Sequence, residues 1–203
     1  MTNRERMNRG LLYNPAAMDI LVEQAKNKEW LIRFNRCHFW QAKKKTRLLK
    51  RMFGSIGEGT YIETPFQANF GGKHCFFGKY VYANSNLTCV DDAEIHVGDY
   101  TMFGPNVVLA TAGHPILPEL RQRGLQYNMP ITIGRNCWIG AGVIVVPGVT
   151  IGDNVVVGAG SVVTKDLPSN VIAVGNPCKV LREVNENDRK FYFKDKEIDY
   201  GNF

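Results

Sequence analysis

One histidine occupies a position from which it could act in acid–base chemistry. His114 lies in the segment TAGHP, residues 111–115, where a regularly patterned stretch ends and one rich in charge and proline begins. A histidine at such a boundary can be both exposed and held in place, and imidazole accepts a proton from a hydroxyl at neutral pH. His114 is therefore a candidate general base, although its position alone fits equally well a loop histidine without a catalytic task.

A six-residue repeat surrounds this histidine and must position it. From Ile133 to Thr164 the chain reads IGRNCW, IGAGVI, VVPGVT, IGDNVV, VGAGSV, VT. Each phrase opens with Ile or Val, usually followed by Gly, and has a small or β-branched residue in fifth place. This period is typical of a parallel β-helix, in which the branched residue fills the core and the Gly avoids crowding by a Cβ. Three phrases would close one triangular coil, and stacked coils would supply the core.

The repeat extends upstream, with interruptions. Phrases that begin at Val97, Phe103 and Leu109 keep the pattern, and degenerate copies of it begin at Ile56, Ile62, Phe77 and Ala83. We therefore predict a solenoid from about residue 55 to 175. The frame slips by two residues between Cys89 and Val97, which predicts a bulge or a small corner loop near Asp91 to Ile95. Residues 115–130 keep the frame but carry charges and prolines, so we predict an extruded loop there.

The sequence divides into three parts around this solenoid. Residues 1–53 are predicted to form helices that break near Asn14-Pro15 and Asn35, with Asp19 as an N-cap. Residues 54–184 contain the β-helix domain, and residues 185–203 form a charged, aromatic tail. The apolar side of the middle helix is predicted to comprise Ile20, Leu21, Ala25, Leu31 and Ile32.

A basic cluster precedes the solenoid in a chain of net charge +6 and pI near 9.1. We interpret it as the solvated side of an amphipathic helix and predict no nucleic-acid partner, since no stacking aromatics interleave with the charges. A small anionic ligand explains the positive balance better. The basic residues are Lys43, Lys44, Lys45, Arg47, Lys50 and Arg51, and the predicted apolar side comprises Phe39, Trp40, Leu48, Leu49, Met52 and Phe53.

The sequence composition indicates in which compartment the protein lies and whether its cysteines are oxidised. No apolar run approaches the roughly 20 residues that span a bilayer, so we predict a cytoplasmic protein with no membrane partner. The five cysteines, Cys37, Cys75, Cys89, Cys137 and Cys178, are scattered and form no CxxC pair. We interpret them as reduced structural thiols and predict no metal site.

Several long segments resemble one family. These are YANSNLTCVDD (Tyr82 to Asp92), VGDYTMFGPNVVLATAGHP, the run from MPITIGRNCWIG to VVTKDLP, VGNPCKVLRE, and FYFKD in the tail. They are similar to the galactoside and maltose O-acetyltransferase family of hexapeptide-repeat acyltransferases. The resemblance implies a left-handed parallel β-helix and a homotrimer with active sites between subunits. It also implies direct transfer of acetyl from acetyl-CoA to a sugar hydroxyl, typically the 6-hydroxyl.

The resemblance also assigns residues. It implies that His114 is the general base, that Asn69, Tyr82, Asn84 and Asp92 bind the acceptor, and that Trp138, Ala141, Ala159, Thr164, Lys165, Lys179 and Arg182 bind the coenzyme. Without it, Asn84 would be interpreted as a left-handed corner residue and Asp92 as a bulge carboxylate.

Two departures from the family pattern affect these residue assignments. Ala141 stands where relatives often have Ser, so an oxyanion contact there would come from a backbone N–H. In the segment GLLYNPAAMD the first carboxylate is Asp19, whereas the family places a carboxylate earlier in the corresponding segment.

Three other functions remain open at this point. A xenobiotic O-acetyltransferase would share the repeat and the histidine and would act on an antibiotic hydroxyl. A metal hydratase on the same helix needs three histidine ligands, and His96 and His114, separated by the length of three phrases, could stack one coil apart. A non-enzymatic repeat protein would serve only as a scaffold.

Overall fold

The structure is a computed structural model that describes residues 1–201. Three helices come first, α1 (Asn3–Asn8), α2 (Met18–Asn35) and α3 (Ala42–Met52). The solenoid strands that precede the long loop are β1 (Ser55–Ile56), β2 (Tyr61–Ile62), β3 (Gln67–Ala68), β4 (Cys75–Phe77), β5 (Tyr82–Ala83), β6 (Thr88–Val90), β7 (Ile95–Val97), β8 (Met102–Phe103) and β9 (Val108–Ala110). The loop contains β10 (Ala112–Gly113), α4 (Pro118–Gln122) and β11 (Tyr127–Asn128).

The solenoid resumes after the loop and ends in a small hairpin region. Its later strands are β12 (Ile131–Ile133), β13 (Trp138–Ile139), β14 (Ile144–Val145), β15 (Thr150–Ile151), β16 (Val156–Val157), β17 (Val162–Val163) and β18 (Val171–Val174). The C-terminal elements are β19 (Lys179–Glu183), α5 (Asn187–Lys190), β20 (Phe191–Phe193) and β21 (Lys196–Glu197).

The strands form a parallel β-helix with three faces. Face 1 contains β1, β4, β7, β12 and β15, and face 3 contains β3, β6, β9, β14 and β17. Face 2 contains β2, β5, β8, β13, β16 and β18, with β19 paired antiparallel to β18. The described residues thus make five complete coils and the start of a sixth, as the six-residue period predicts.

Where a phrase has glycine in second place, the stacking of the coils requires it. A Cβ on Gly98 would lie 2.5 Å from the backbone nitrogen of Arg135 in the next coil, and one on Gly140 would lie 2.6 Å from that of Ala159. Parallel strands stack about 4.8 Å apart, which leaves no room for a side chain that points along the stack. Branched residues such as Ile139 and Val157 lie inside and are buried.

Insertions accumulate at one corner of the triangle, between face 3 and face 1. After the loop, Thr132 pairs with Thr150 and Ile144 with Val162, so that each partner lies three phrases further along the chain. Before the loop the spacing is longer, since Tyr82 pairs with Met102. The difference confirms the predicted slip of two residues. We call this region the insertion corner; it comprises residues 69–74, 91–94 and 111–130.

A long loop leaves the coil where one was predicted, and it does so at the insertion corner; it has more internal order than an extruded loop requires. Strand β10 pairs antiparallel with β11, so that Ala112 lies opposite Asn128 and Gly113 opposite Tyr127. Helix α4 fills the turn between them, with Pro118 at its start, where a missing N–H costs nothing.

The helices differ in detail from the prediction. Breaks occur near Asn14-Pro15 and after Asn35, as expected, but Ala17 is the N-cap of α2 and Asp19 lies inside its first turn. Of the predicted apolar side only Ile20 and Leu31 are buried, together with Phe34. The others lie on a neighbouring side of the helix that the protomer leaves exposed: Leu21, Ala25 and Ile32.

Helix α3 is amphipathic, with two exceptions to the predicted sides. Leu48, Leu49 and Met52 are buried as expected, but so is Lys45, whose Nζ lies 3.3 Å from the Tyr61 hydroxyl and 3.7 Å from Glu63. Phe39 and Trp40 precede the helix and are exposed. They therefore do not belong to its buried side.

All five cysteines are free and buried. Burial raises the pKa of the Cys75, Cys137 and Cys178 thiols, which favours the protonated form. The interpretation as reduced structural thiols fits this environment. Among residues 1–201, no helix combines the length and the apolar character that crossing a bilayer demands.

Candidate active site

His114 follows β10 at the mouth of the loop, and its side chain is exposed. Its Nδ1 lies 2.9 Å from the backbone carbonyl oxygen of Leu125, on the returning arm of the loop. Because a carbonyl oxygen can only accept a hydrogen bond, Nδ1 must carry the hydrogen, and in the neutral ring Nε2 then has a free lone pair. The loop thus holds the imidazole in the tautomer that a general base needs.

A buried polar network lies beside this histidine at the insertion corner. Asp92 accepts hydrogen bonds from the Asn69 Nδ2 at 2.7 Å and from the Gln126 Nε2 at 3.0 Å. Its backbone carbonyl accepts another from Asn128 at 3.0 Å. The structure therefore brings together two of the predicted acceptor residues, Asn69 and Asp92, and adds Gln126 and Asn128 from the loop.

Tyr13 completes the network from the helical segment. Its hydroxyl accepts hydrogen bonds from Gln126 at 2.6 Å and from Asn128 at 3.0 Å, and its backbone pairs with that of Gln126 in both directions. Burial raises the pKa of Tyr13 to about 12, so its hydroxyl remains protonated in the physiological range. Sequence reasoning missed these three residues. The only signal was the alternation of Gln126 and Asn128 about Tyr127.

Asp91, next to Asp92, has a structural task. Its carboxylate accepts hydrogen bonds from the backbone N–H groups of Phe70 at 2.7 Å and Gly72 at 3.0 Å, which fixes the corner one coil earlier. Burial raises the pKa of this carboxyl above its ordinary value. The bulge role that the residue pattern alone suggested for Asp92 is therefore performed by Asp91.

The other two predicted acceptor residues lie elsewhere on the same chain. Tyr82 points outward from face 2 and stacks on Tyr61 at 6.5 Å between ring centroids. Asn84 follows it at the corner between faces 2 and 3, where its Oδ1 accepts from the Ser85 N–H at 2.7 Å. Asn84 is not in the left-handed region, whereas Asn86 is, at φ 64°. One protomer does not bring Tyr82 and Asn84 to the insertion corner.

Two predicted coenzyme residues form a ledge at the corner between faces 2 and 3. Ala141 and Ala159 are exposed and stack one coil apart, the Gly160 N–H donating to the Ala141 carbonyl at 2.8 Å. A Cβ on Gly142 or Gly160 would have no neighbour within 4 Å, so the space beside the ledge is open. Trp138, 57% exposed, points outward from face 2 close to this ledge.

The remaining coenzyme residues divide between two edges. Thr164 and Lys165 follow β17 at the corner between faces 3 and 1 and are exposed, while Lys179 and Arg182 lie on β19 beside face 2. The Arg182 guanidinium makes two hydrogen bonds of 2.7 Å to Asp188 and lowers the pKa of that carboxyl to about 2. Face 3 therefore separates the two groups in one chain.

The stacked histidine pair that a metal hydratase would need does not form. His96 lies on face 1, where its register neighbours are Phe76 and Thr132, and its Nε2 contacts Glu94 at 2.8 Å. His114 lies outside that column because the loop at 111–130 lengthens this coil, so that Thr132, and not His114, is the next residue of the His96 column. In the part of the chain that the structure describes, no three His, Cys, Asp or Glu side chains cluster as metal ligands.

A β-helix built on a six-residue repeat, with an exposed histidine at its loop and an open ledge of small residues, defines the class of hexapeptide-repeat transferases. The family described as bacterial transferase hexapeptide (six repeats) matches residues 130–165, and the maltose acetyltransferase hexapeptide capping motif matches residues 6–57. The chain is 50% identical over 192 residues to a galactoside O-acetyltransferase of Lactococcus lactis, covering 95% of this chain and 93% of the relative.

Two solved structures are similar along nearly the whole chain. A galactoside acetyltransferase in complex with coenzyme A is 42% identical, with a TM-score of 0.93 over 98% of this chain and 99% of that one. A maltose O-acetyltransferase from Clostridium difficile 630 is 41% identical, with a TM-score of 0.89 over 92% and 99%. The chain therefore belongs to the galactoside and maltose O-acetyltransferase family. It is an acetyltransferase, which excludes a role as scaffold alone, and the predicted fold class is confirmed.

Proposed function

We propose that the protein transfers an acetyl group from acetyl-CoA to a hydroxyl, the 6-hydroxyl, of a galactoside, maltose or glucose-type sugar, with His114 as general base. The bond from the His114 Nδ1 to the Leu125 carbonyl carries this proposal, because it leaves Nε2 free to accept the hydroxyl proton. Relatives that are named galactoside O-acetyltransferases support the substrate class.

The insertion corner is suited to an acceptor with several hydroxyls. Asn69 borders a cavity of about 320 Å³ that helix α2 also lines, through Lys28 and Ile32. The Asn69 amide and the Asp92 carboxylate are hydrogen-bonded to each other at 2.7 Å. Both groups can also form hydrogen bonds with sugar hydroxyls. His114 borders the same corner from the loop. The acceptor would thus be oriented by fixed polar groups, which is how positioning contributes to rate.

The ledge fits the long arm of acetyl-CoA. Its open side, beside Gly142 and Gly160, admits a chain that would lie along Ala141, Ala159 and Trp138. Lys165, Lys179 and Arg182 supply positive charge for the phosphates. Ala141 is exposed, and its N–H donates to no described residue. This N–H would stabilise the developing oxyanion in place of a serine hydroxyl.

The outward sides of faces 2 and 3 support a homotrimer. Face 2 presents Tyr82, Met102 and Trp138, and face 3 presents Val108 and Ile144, all at least partly exposed in the protomer. A cyclic assembly pairs two different patches of the same chain, as two adjacent apolar faces allow. The active sites would lie between subunits, each combining His114 of one subunit with Tyr82, Asn84 and Trp138 of a neighbour.

The chemistry at His114 is direct transfer in a ternary complex. His114 Nε2 accepts the hydroxyl proton while the sugar oxygen bonds to the carbonyl carbon of the thioester. The same nitrogen gives that proton to the sulfur as the carbon–sulfur bond breaks, so the products are the acetylated sugar and coenzyme A. We place this reaction in the cytoplasm, where acetyl-CoA is available and buried thiols stay reduced.

The test replaces His114 by Ala and follows free thiol release with galactosides, maltose, glucose and hydroxylated antibiotics as acceptors. We expect kcat to fall by roughly 10² to 10⁴, since that is the usual contribution of a general base. Thermal stabilisation by coenzyme A and the trimer mass should persist. His96→Ala, which alters a half-exposed histidine on face 1, serves as the matched control. Wild-type turnover by His114→Ala, or turnover with antibiotics alone, would contradict the proposal.

A further inference from the structure

Helix α3 carries the positive charge of the chain. Its eleven residues contain six basic and no acidic side chains, which equals the net charge of +6 of the whole protein. The other residues together are therefore neutral. Lys45 is buried, but the other five are exposed: Lys43, Lys44, Arg47, Lys50 and Arg51.

A groove between α2 and α3 concentrates this charge further. Its volume is about 510 Å³, and its walls include Arg33 and Arg36 of the α2 end and Lys44, Arg47 and Arg51 of α3. Within residues 1–201, none of these five side chains forms an ion pair with a carboxylate. Such a collection of like charges is stabilised by an external anion.

Two aromatic side chains lie exposed at the tip that joins these helices. Phe39 is 76% exposed and Trp40 is 68% exposed, with their rings in edge contact at 5.1 Å. Among the described residues, the only other ring that contacts Trp40 is that of His38, which stacks on it at 4.6 Å between ring centroids. Apolar rings at a protruding tip, beside many cations, have the composition of segments that bind the interface of a membrane.

We propose that the α2–α3 tip and groove dock the protein on an anionic lipid surface, with Phe39 and Trp40 in the interfacial layer and the basic side chains on the headgroups. The contact is peripheral and uses none of the residues assigned to catalysis. It differs from the expectation, drawn from the sequence, that the protein has no membrane partner, and the experiment below distinguishes the two.

Two other anionic partners fit the same residues less well. Nucleic acid would need free ring faces for stacking. The Trp30 ring is already covered by the guanidinium groups of Arg33 and Arg51, at 4.8 and 4.6 Å from its centroid, and Trp40 is stacked by His38. A small phosphate ligand would account for the groove but not for the exposed Phe39 and Trp40.

The proposed trimer would strengthen this docking. Helix α3 packs near β1, at the first coil, so three parallel solenoids would present three tips at the same end. Simultaneous contact of three weak sites raises the overall affinity well above that of one site. A monomer would still bind, but more weakly.

The experiment is flotation of the full-length protein with vesicles of phosphatidylcholine alone or mixed equally with phosphatidylglycerol. We expect binding to the mixed vesicles only, and weaker binding as salt is added. The double variant Lys43→Glu/Lys44→Glu should bind at least about twentyfold more weakly, since each basic residue near an anionic surface contributes a factor of roughly five. Phe39→Ser/Trp40→Ser should lose about tenfold.

Matched controls make the same changes in the tail. Lys190→Glu/Lys194→Glu and Tyr192→Ser/Phe193→Ser alter exposed residues far along the chain and should bind as wild type. Acetyl transfer should be unchanged in the tip variants, and His114→Ala should still bind vesicles, which separates this proposal from the catalytic one. Equal binding to both vesicles, wild-type binding by the tip variants, or binding of a DNA duplex or pyrophosphate without vesicle binding would overturn it.

Discussion

The coils after residue 131 and the insertion corner are parts of one solenoid, but they are held together in different ways. Strands β12, β13 and β14 each pair with the strand three phrases ahead, and inward Ile and Val side chains are fully buried. At the insertion corner the chain departs from this period three times. Hydrogen bonds of Asp91, Asp92 and Tyr13 replace the repeated apolar contacts there.

This difference separates stability from chemistry. In the coils after residue 131, which we call the wall, most backbone groups pair between successive coils, so a ligand meets outward side chains and the few N–H groups left unpaired at the corners, such as that of Ala141. The corner has room for Asn69, Asp92 and His114 because the repeat is interrupted at each of them. Changes in the wall should therefore lower the free energy of unfolding, and changes at the corner should lower the rate more than the stability.

The largest effect on stability is expected for Gly98→Val. Its Cβ would lie 2.5 Å from the Arg135 nitrogen and 2.6 Å from the Gly134 carbonyl carbon, where both partners are backbone atoms that cannot rotate away. We expect a loss of at least about 3 kcal/mol, or no folded protein. Urea unfolding followed by circular dichroism measures it.

Gly124→Ala, in the loop, is the control for that variant. Its added methyl meets no atom within 4 Å, although the positive φ of 67° carries some strain. This should cost about 1 kcal/mol. If the two variants unfolded at the same urea concentration, the close stacking of the wall would not be what requires glycine.

Asp91→Ala should have the next largest effect, because it breaks the corner without touching the proposed catalytic groups. The buried N–H groups of Phe70 and Gly72 would lose their acceptors. Each unsatisfied donor costs roughly 1 to 3 kcal/mol, so we expect a loss of about 3 kcal/mol. Asp91→Asn keeps one acceptor oxygen and should fall between the variant and wild type; equal loss in both would contradict this assignment.

The sequence predicted the wall better than the corner for a physical reason. A period of six, with glycine where coils touch, is local information, and Ile133 to Thr164 contains it without interruption. The partners of Asp92 come from Gln126 in the loop and, through Tyr13, from the first helices, so they depend on contacts between parts of the chain that lie far apart in sequence. The same limit explains the buried Lys45 and the exposed Phe39 and Trp40, because helical spacing does not say where neighbouring strands and loops lie.

Resemblance supplied what spacing could not. It pointed to Asn69 and Asp92, and the structure pairs them, but it did not indicate that Tyr82 lies on face 2 and Asn84 at the next corner, both away from the insertion corner of the same protomer. In our proposal those roles depend on a second subunit. They stay predictions that the proposed trimer would satisfy.

Tyr13→Phe tests how firmly the helical segment holds the corner. The change removes the hydroxyl that accepts from the Gln126 and Asn128 amides, which keep only their bonds to each other and to Asp92. We expect a loss of about 1 to 2 kcal/mol in stability. We also expect a several-fold fall in kcat, because the arm that carries Leu125 positions His114. If kcat were unchanged while stability fell, the network would support the fold alone; Tyr127→Phe, on the adjacent residue, is the control.

The smallest effect concerns Arg182, which the structure shows paired with Asp188 and which we propose as a phosphate contact. The guanidinium lowers the pKa of Asp188 to about 2, so the pair is complete above the ordinary carboxyl pKa near 4 and is lost as the pH falls through about 2. In Arg182→Gln the Asp188 titration, followed by carbon NMR, should move up toward its ordinary value. Arg189→Gln, beside Glu186, should leave it unchanged. At neutral pH, Asp188→Asn should release the guanidinium and tighten coenzyme A binding by a few-fold; weaker binding would mean that Asp188 holds Arg182 in its working position.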